Sequence, residues 1–436
     1  MEDAAVNLLV IVGAIVLAPI IASFIPRIKV PVVVIEIALG IIIGPQVLGL
    51  AQNDELVQGL SQLGLAFLFF LAGFEIDLGK IRGAPLKLAG FGWLLSIVLS
   101  VSISTVLFLS GLILLVRFVA IGMTTTALGT LMPILRDADE VDTPLGRNIM
   151  AAGAVGEFGP IVLTALLLST ENNQLVTLAL LIAFGTLVIA GIRLARRWHP
   201  ARLARLAKQS MNTSGQLPVR LSVLVLIALI SVAVVLHLEF LLGAFAAGVI
   251  VAQAIKDVER EEIEPLRVKY EGISFGLFVP VFFVVSGMNF DLHALFASPV
   301  SLIELPMFLL FFLVVRGLPA LLFYRRSLDR RERTSLAFLS ATELPLVVAI
   351  TTLGLQQQDM KPQTAAAMVG AAMLSVFLFP LIALSMRRRN PQSAEQQEPP
   401  ALVEEVLQAP EAGPLEPAMS APVDASSTPA RAVGRD

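Results

Sequence analysis

Stretches of mostly apolar residues, each about 18 to 25 long, recur from Val6 to Met386 with short polar connections between them, and a helix of that length crosses a hydrocarbon core about 30 Å thick. The pattern predicts about thirteen spans, near 6–25, 30–50, 57–75, 87–110, 113–135, 145–169, 173–195, 218–237, 239–256, 272–290, 300–324, 333–355 and 363–386. Open sheets cannot cross a bilayer, because their edges leave backbone groups unpaired in lipid, so the spans are read as helices. After Arg389 the apolar runs stop. Residues 391–436 are rich in Pro, Glu and Ala with few aromatics, and are expected to form a disordered cytoplasmic tail.

Composition agrees with the pattern: of 436 residues 56% are hydrophobic and only 15% charged. The fold class expected is an all-α polytopic membrane protein. The absence of cysteine excludes disulfides and thiolate metal sites. The acidic start MEDAA lacks the basic leader of a cleaved signal peptide, so the first run is read as a retained span. No G-x-G-x-x-G follows a strand pattern, so no nucleotide-binding domain is expected in the tail.

The net charge of −3 says less than where the charges fall. Arginine and lysine crowd the connections after odd-numbered spans, as in RLARRWHPARLARLAK and YRRSLDRRER, and nearly vanish from the others, as in QNDE and TENNQ. By the positive-inside rule the crowded side is cytoplasmic, with the N-terminus outside and the C-terminus inside the plasma membrane. The basic run near 196–217 reads as an interfacial linker against anionic lipid.

The third span ends GFEIDL and the tenth ends GMNFDL, so Gly73 and Asp77 match Gly287 and Asp291 at one common offset. LGIIIGP in the second span has a weaker echo in LGAFAAGV in the ninth. A shift of seven spans turns the second copy upside down, which predicts two inverted repeats, about 6–169 and 218–386, joined by a linking helix at 173–195 and the basic linker 196–217. Inverted repeats with interrupted helices near the midplane are characteristic of alternating-access transporters. The corresponding fifth and twelfth spans carry GMTTTALGTLMP and SATELPLV, with hydroxyls and helix breakers at mid-depth, and are expected to be discontinuous. Asp77 and Asp291, at span ends, are read as capping residues, and His199, His237 and His293 lack ligand spacing.

Four ionisable side chains fall well inside spans: Glu36, Glu157, Arg316 and Glu343. A charge at the bilayer centre costs at least about 2.5 kcal/mol, so each needs a partner or a cavity. A carboxyl held away from water takes up either a proton or a cation, which is the simplest chemistry of exchange. Hard alkali cations prefer oxygen donors, which Glu157, threonine hydroxyls and freed carbonyls can supply. Arg316 reads as a fixed counter-charge. Each acid also has a structural alternative, as a hydrogen-bonding or helix-end residue, and Glu343 could pair with Arg316.

GIIIGPQVLG, FLFFLAGFEIDL, TTTALGTLMPIL, GAFAAGVIVA and VFFVVSGMNFDL, in this order over about residues 6–386, closely resemble the monovalent cation:proton antiporter-2 family of the sodium/proton exchanger superfamily. The resemblance implies a membrane exchanger domain over 1–390, in which a core bundle with two crossing, centrally unwound helices slides against a panel-like dimerisation domain. The family's ion-binding acid is usually second in an Asp-Asp or Asn-Asp pair, which here falls on Gly156 and Glu157. Arg316 matches the family's Lys or Arg position, and Glu343 falls where potassium-efflux relatives carry a glutamate. The sequence therefore predicts a secondary antiporter that exchanges Na+ or K+ for protons, not an enzyme, with no cofactor and no nucleic-acid partner. The resemblance alone implies a homodimer. Glu157 is expected to bind proton and cation alternately, as a transient Na+ or K+ ligand. Thr124, Thr125, Thr126, Thr342 and Glu343 are expected to donate oxygens or support the crossing, Arg316 to compensate charge, and Glu36 to hold a lesser place. With no acid at 156, one-for-one electroneutral exchange is expected. A non-transporting sensor and a sodium-coupled organic anion symporter on the same scaffold stay open as alternatives.

Overall fold

The structure is a computed structural model that describes residues 2–24, 31–76, 83–167, 174–197, 215–255, 260–296 and 299–387. Asp77, His199, most of the basic linker and the tail lie outside the described residues. The helices run α1 Glu2–Ser23, α2 Val32–Ile43, α3 Glu55–Glu75, α4 Ala84–Leu109, α5 Val116–Gly122, α6 Leu128–Asp137, α7 Pro144–Leu167, α8 Gln174–Arg197, α9 Leu217–Val235 and α10 Phe240–Ala254. They continue as α11 Arg260–Ile273, α12 Val279–Met288, α13 Leu292–Phe296, α14 Pro299–Phe312, α15 Leu318–Phe323, α16 Arg330–Ser340, α17 Pro345–Gln356 and α18 Pro362–Arg387. π-Helical turns at Ser274–Phe278 and Leu313–Gly317 join α11 to α12 and α14 to α15.

Among the described residues, 10 helices are long and apolar enough to cross a membrane, and Val32–Ile43 and Phe240–Ala254 are shorter apolar helices. The chain is an all-α polytopic membrane protein. Large apolar side chains such as Leu9 and Leu175, at 72% and 76% exposure, point outward from α1 and α8. A soluble monomer rarely exposes apolar surface on this scale, whereas lipid accepts it. Helix ends are set by local chemistry. Asp54 caps α3 by accepting from the Val57 N–H at 2.9 Å, Asp329 and Glu332 form a capping box at α16, and Asp291 accepts from the Ala294 N–H at 2.8 Å.

Contacts sort the helices into two groups. In the first, α2 packs on α12, α3 on α10, α1 on α2 and α9 on α10. In the second, α4 packs on α5 and α7, α14 and α16 on α18, and α16 on α7. Helix α8 touches both groups, and α3 meets α6 and α10 meets α7 where they face each other. The first group is closed by glycine. A Cβ on Gly73 would overlap the Phe245 carbonyl of α10, and one on Gly287 would overlap the Ile37 carbonyl of α2, so only glycine permits these backbones to approach so closely.

The second group contains the interruptions. Between α5 and α6 the chain leaves the helix over Thr124–Ala127, where three successive β-branched hydroxyl residues offer the backbone alternative bonds: Thr124 Oγ1 donates to the Ile121 carbonyl and Thr125 Oγ1 to the Gly122 carbonyl. Between α16 and α17 the break spans residues 341–344, and Pro345 forces Leu344 out of the helical region, at φ −163°.

Candidate functional site

Both interruptions fall at the same place in space. The Ala127 N–H donates to the Thr342 carbonyl at 2.8 Å, and Thr126 Oγ1 donates to the Ser340 carbonyl at 2.6 Å. Helix α7 joins them through proline chemistry. Pro160 lacks the N–H that would satisfy the Gly156 carbonyl one turn earlier, and that carbonyl accepts instead from the Thr126 N–H at 2.9 Å. Pro319 acts in parallel: it frees the Val315 carbonyl, which accepts from Ser96 Oγ at 2.8 Å.

Glu157 is 2% exposed and sits near the first turn of α6, within electrostatic reach of the Gly129 N–H. The partial positive charge at the start of that half-helix favours an acidic group there. Its Oε2 is buried without a partner. A buried lone pair with no donor is a costly arrangement, and one that a proton or a small cation would relieve.

Arg316 lies within the π-helical turn Leu313–Gly317, just before Pro319. Its Nε and Nη2 donate to Thr126 Oγ1 at 3.0 and 2.7 Å, Nη2 also to the Ala152 carbonyl at 3.1 Å, and Nη1 to Ser96 Oγ at 3.4 Å. The guanidinium thus binds neutral oxygens, and no carboxylate of the described residues forms an ion pair with it. Glu343, fully buried, lies within electrostatic reach of Arg316 and near Thr125, but neither of its oxygens meets a donor in hydrogen-bonding geometry. Direct pairing of Glu343 with Arg316, one of the alternatives read from sequence, is therefore not what the structure shows. A Cβ at position 156 would run into Arg316 Nη2 and approach Thr126 Oγ1 to 2.8 Å. The guanidinium occupies the space a side chain at 156 would need.

The sequence-predicted residues divide accordingly. Thr124, Thr125, Thr126, Thr342, Glu343, Glu157 and Arg316 come together at the crossing. Thr126 Oγ1 is fully engaged, accepting from Arg316 while donating to Ser340. Thr342 Oγ1 donates back to the Phe338 carbonyl at 3.3 Å. Glu36 is buried on α2, in the other helix group, and shares no hydrogen bond or ion pair with these residues.

Several contributors escaped the sequence reading. Trp93, Ser96 and Ser100 lie on one face of α4. Trp93 Nε1 donates to the Thr124 carbonyl at 3.2 Å and Ser100 Oγ to the Ala120 carbonyl at 2.5 Å. Their i, i+3, i+7 spacing in an apolar helix was the available signal. Ser375 of α18 clasps the other break, accepting from the Glu343 N–H at 2.9 Å and donating to its carbonyl at 3.0 Å. Glu75, inside the quoted GFEIDL motif, has an electrostatic interaction with Glu157 and forms an ion pair with Arg136.

Comparison with known proteins places this geometry in context. Residues 12–384 match a family described as sodium/hydrogen exchanger, transmembrane. The protein YjbQ of Bacillus subtilis is 26% identical over 388 residues, 85% of this chain and 61% of that protein. The Na(+)/H(+)-K(+) antiporter GerN of Bacillus cereus is 29% identical over 273 residues, 60% of this chain and 66% of that protein. The chain therefore spans less than two thirds of these two relatives. The sodium proton antiporter MjNhaP1 of Methanocaldococcus jannaschii superimposes with a TM-score of 0.63 at 18% identity, over 87% of this chain and 96% of that one, which shows a shared fold.

Proposed function

This chain belongs to the sodium/hydrogen exchanger transmembrane family, and we propose that it is a secondary antiporter, not an enzyme, exchanging Na+ or K+ for protons by alternating access. The observation that carries this is the buried Glu157 carboxyl at the crossing of two broken helices, beside the start of α6 and with Oε2 unpartnered. Such a group is satisfied by a proton or by an alkali cation, and occupancy by one excludes the other. The relatives named as Na(+)/H(+) antiporters support the substrate class.

Within the superfamily the quoted motifs favour the monovalent cation:proton antiporter-2 branch, a finer placement than the family match. The inverted-repeat reading draws support from the crossing itself. Thr126 and Ser340 are 214 residues apart, the offset that also relates Gly73 to Gly287, and those two glycines make equivalent close crossings, each onto a helix of the opposite repeat. Each of the thirteen predicted segments contains a helix or a broken pair of helices. The basic connections favour an outside N-terminus and a cytoplasmic C-terminus, with residues 1–390 as the exchanger domain and 391–436 as a tail. Homodimerisation and contact of the basic linker with anionic lipid complete the proposal.

Because Arg316 fills the space at 156 and binds only neutral oxygens, Glu157 is left as the acid that carries the exchange, which favours one cation for one proton. Thr124 and Thr125 support the break, and Glu343 sets the local field with Arg316. Proteoliposomes with an imposed pH gradient, challenged separately with sodium, potassium and lithium, test the proposal. Collapse of the gradient by sodium or potassium that is lost in Glu157→Gln is the expected result. Collapse that survives this substitution overturns the site, and folded protein that collapses the gradient with no cation overturns the function.

A further inference from the structure

At one end of the molecule a cluster of charges joins the two helix groups. Arg136, in the last turn of α6, donates from Nη2 to Glu75 Oε1 of α3 and from Nη1 to Glu271 Oε1 of α11. Arg267, also on α11, donates from Nε to the same Glu271 oxygen at 3.2 Å and approaches Glu75 Oε1 at 4.0 Å. Glu75 is nearly buried, at 3% side-chain exposure, while Arg136, Arg267 and Glu271 keep about a quarter of their surfaces in contact with solvent. Among the described residues these ion pairs tie α6 to α3 and α11 at this end. A paired arginine in the last turn also suits the negative end of its half-helix.

Helix α6 is only 10 residues long, and both of its ends are occupied. Its first turn lies beside Glu157, and its last turn holds Glu75 and Glu271 through Arg136. A helix this short moves as one piece, so a displacement of the Glu157 end relative to α3 and α11 strains or breaks the Arg136 pairs. Breaking them leaves the buried Glu75 with Arg267 of α11 alone, 4.0 Å away, which is costly enough to make the closed arrangement a discrete state.

We propose that Arg136 is a positioning residue for exchange: it latches α6 to α3 and α11 through Glu75 and Glu271, closing the site at that end, and its release is required before Glu157 can open there. The proposal rests on the alternating-access exchange inferred above. By the distribution of basic residues this is the cytoplasmic end, because the basic-rich stretches after the fifth and ninth predicted spans, with Arg136 and Arg147 in one and Arg260, Arg267 and Lys269 in the other, fall here.

The natural chain contains no cysteine, so engineered thiols can be read without background. In the double variant Arg136→Cys with Glu271→Cys, a short, reducible bifunctional thiol reagent should bridge the two positions. The bridged protein should lose cation-driven proton exchange in proteoliposomes, and reduction should return it to the unbridged rate. Exchange by fully bridged protein at the unbridged rate overturns the latch. Folded, unbridged double variant with no exchange also overturns it, since a tie that only opens and closes is dispensable to ion binding. Hydrogen exchange on the unmodified chain gives a second measurement: deuterium uptake in 128–137 and 260–273 should change together between saturating cation and cation-free acidic buffer. Change confined to one segment rejects the proposal. Failure of the unmodified chain to exchange any cation would instead reject the functional proposal.

Discussion

The two helix groups are held together by opposite means. In the first, α2 with α12 and α3 with α10 approach until backbone meets backbone at Gly287 and Gly73, and the contact is made of dispersion forces between intact helices. In the second, α5–α6 and α16–α17 are interrupted, and polar side chains from neighbouring helices support the breaks: Trp93 and Ser100 from α4 and Ser375 from α18 bond freed backbone groups, and Arg316 from the turn between α14 and α15 holds the Thr126 hydroxyl. The difference teaches where function can reside. Intact helices pair their backbone groups within themselves, whereas interrupted ones must be surrounded by polar side chains, and Glu157 and Glu343 at the breaks keep oxygens that no protein donor fills.

The sharpest separation comes from Glu157→Gln. Exchange in proteoliposomes should fall to the level of protein-free vesicles while detergent melting holds or rises, because an unpartnered buried carboxyl oxygen is removed. Gly287→Val should do the reverse and act on the fold. Its side chain overlaps the Ile37 carbonyl, and overpacking of this kind costs about 1–3 kcal/mol or more, visible as a lowered melting temperature or loss of monodisperse protein. If Gly287→Val melts normally, the close crossing in the first group is wrong.

Thr126→Val probes the second group. It removes the hydroxyl that accepts from Arg316 and donates to Ser340, and an unsatisfied buried group costs about 1–3 kcal/mol. Both stability and exchange should drop, and Thr126→Ser should recover most of the loss. Gly156→Ala is expected to displace Arg316 Nη2 and slow exchange with a smaller stability change. Wild-type rates in Gly156→Ala would show that the guanidinium has room elsewhere.

The smallest effect lies at a helix start in the first group. The Val57 N–H, and after it the Asn7 amide, hold the Asp54 carboxyl below its usual range. A depressed folded-state pKa contributes stability above the unfolded value, and the contribution disappears as pH falls through the ordinary carboxylate range toward the folded pKa. Asp54→Asn should therefore narrow its gap from wild type on acidification, measured as melting temperature against pH. A gap that widens toward acid would contradict the cap.

Much of this was legible in the chain because lipid restricts what a sequence can do. Spans of sufficient length, mid-span hydroxyls and isolated charges each have few explanations in hydrocarbon, so the helical membrane class, both interruptions and the burial of Glu157, Arg316 and Glu343 could be read from pattern. The serine face of α4 was legible in principle, yet serine in a membrane helix more often bonds to its own helix, and Ser102 and Thr105 on α4 do so. Glu75 was passed over beside Asp77 because it stands at a span end, where an acid is ordinarily in water.

Alone, the chain determined its helical membrane class, the places where helices break and three of the acids that stay inside, Glu36, Glu157 and Glu343, since these depend on local hydropathy and backbone chemistry. Tertiary structure decided the partners. That the Thr342 carbonyl meets Ala127, that Arg316 settles over Gly156 on neutral oxygens, and that Arg136 reaches two helices at once all depend on groups far apart in sequence, brought within hydrogen-bonding range only when the helices pack.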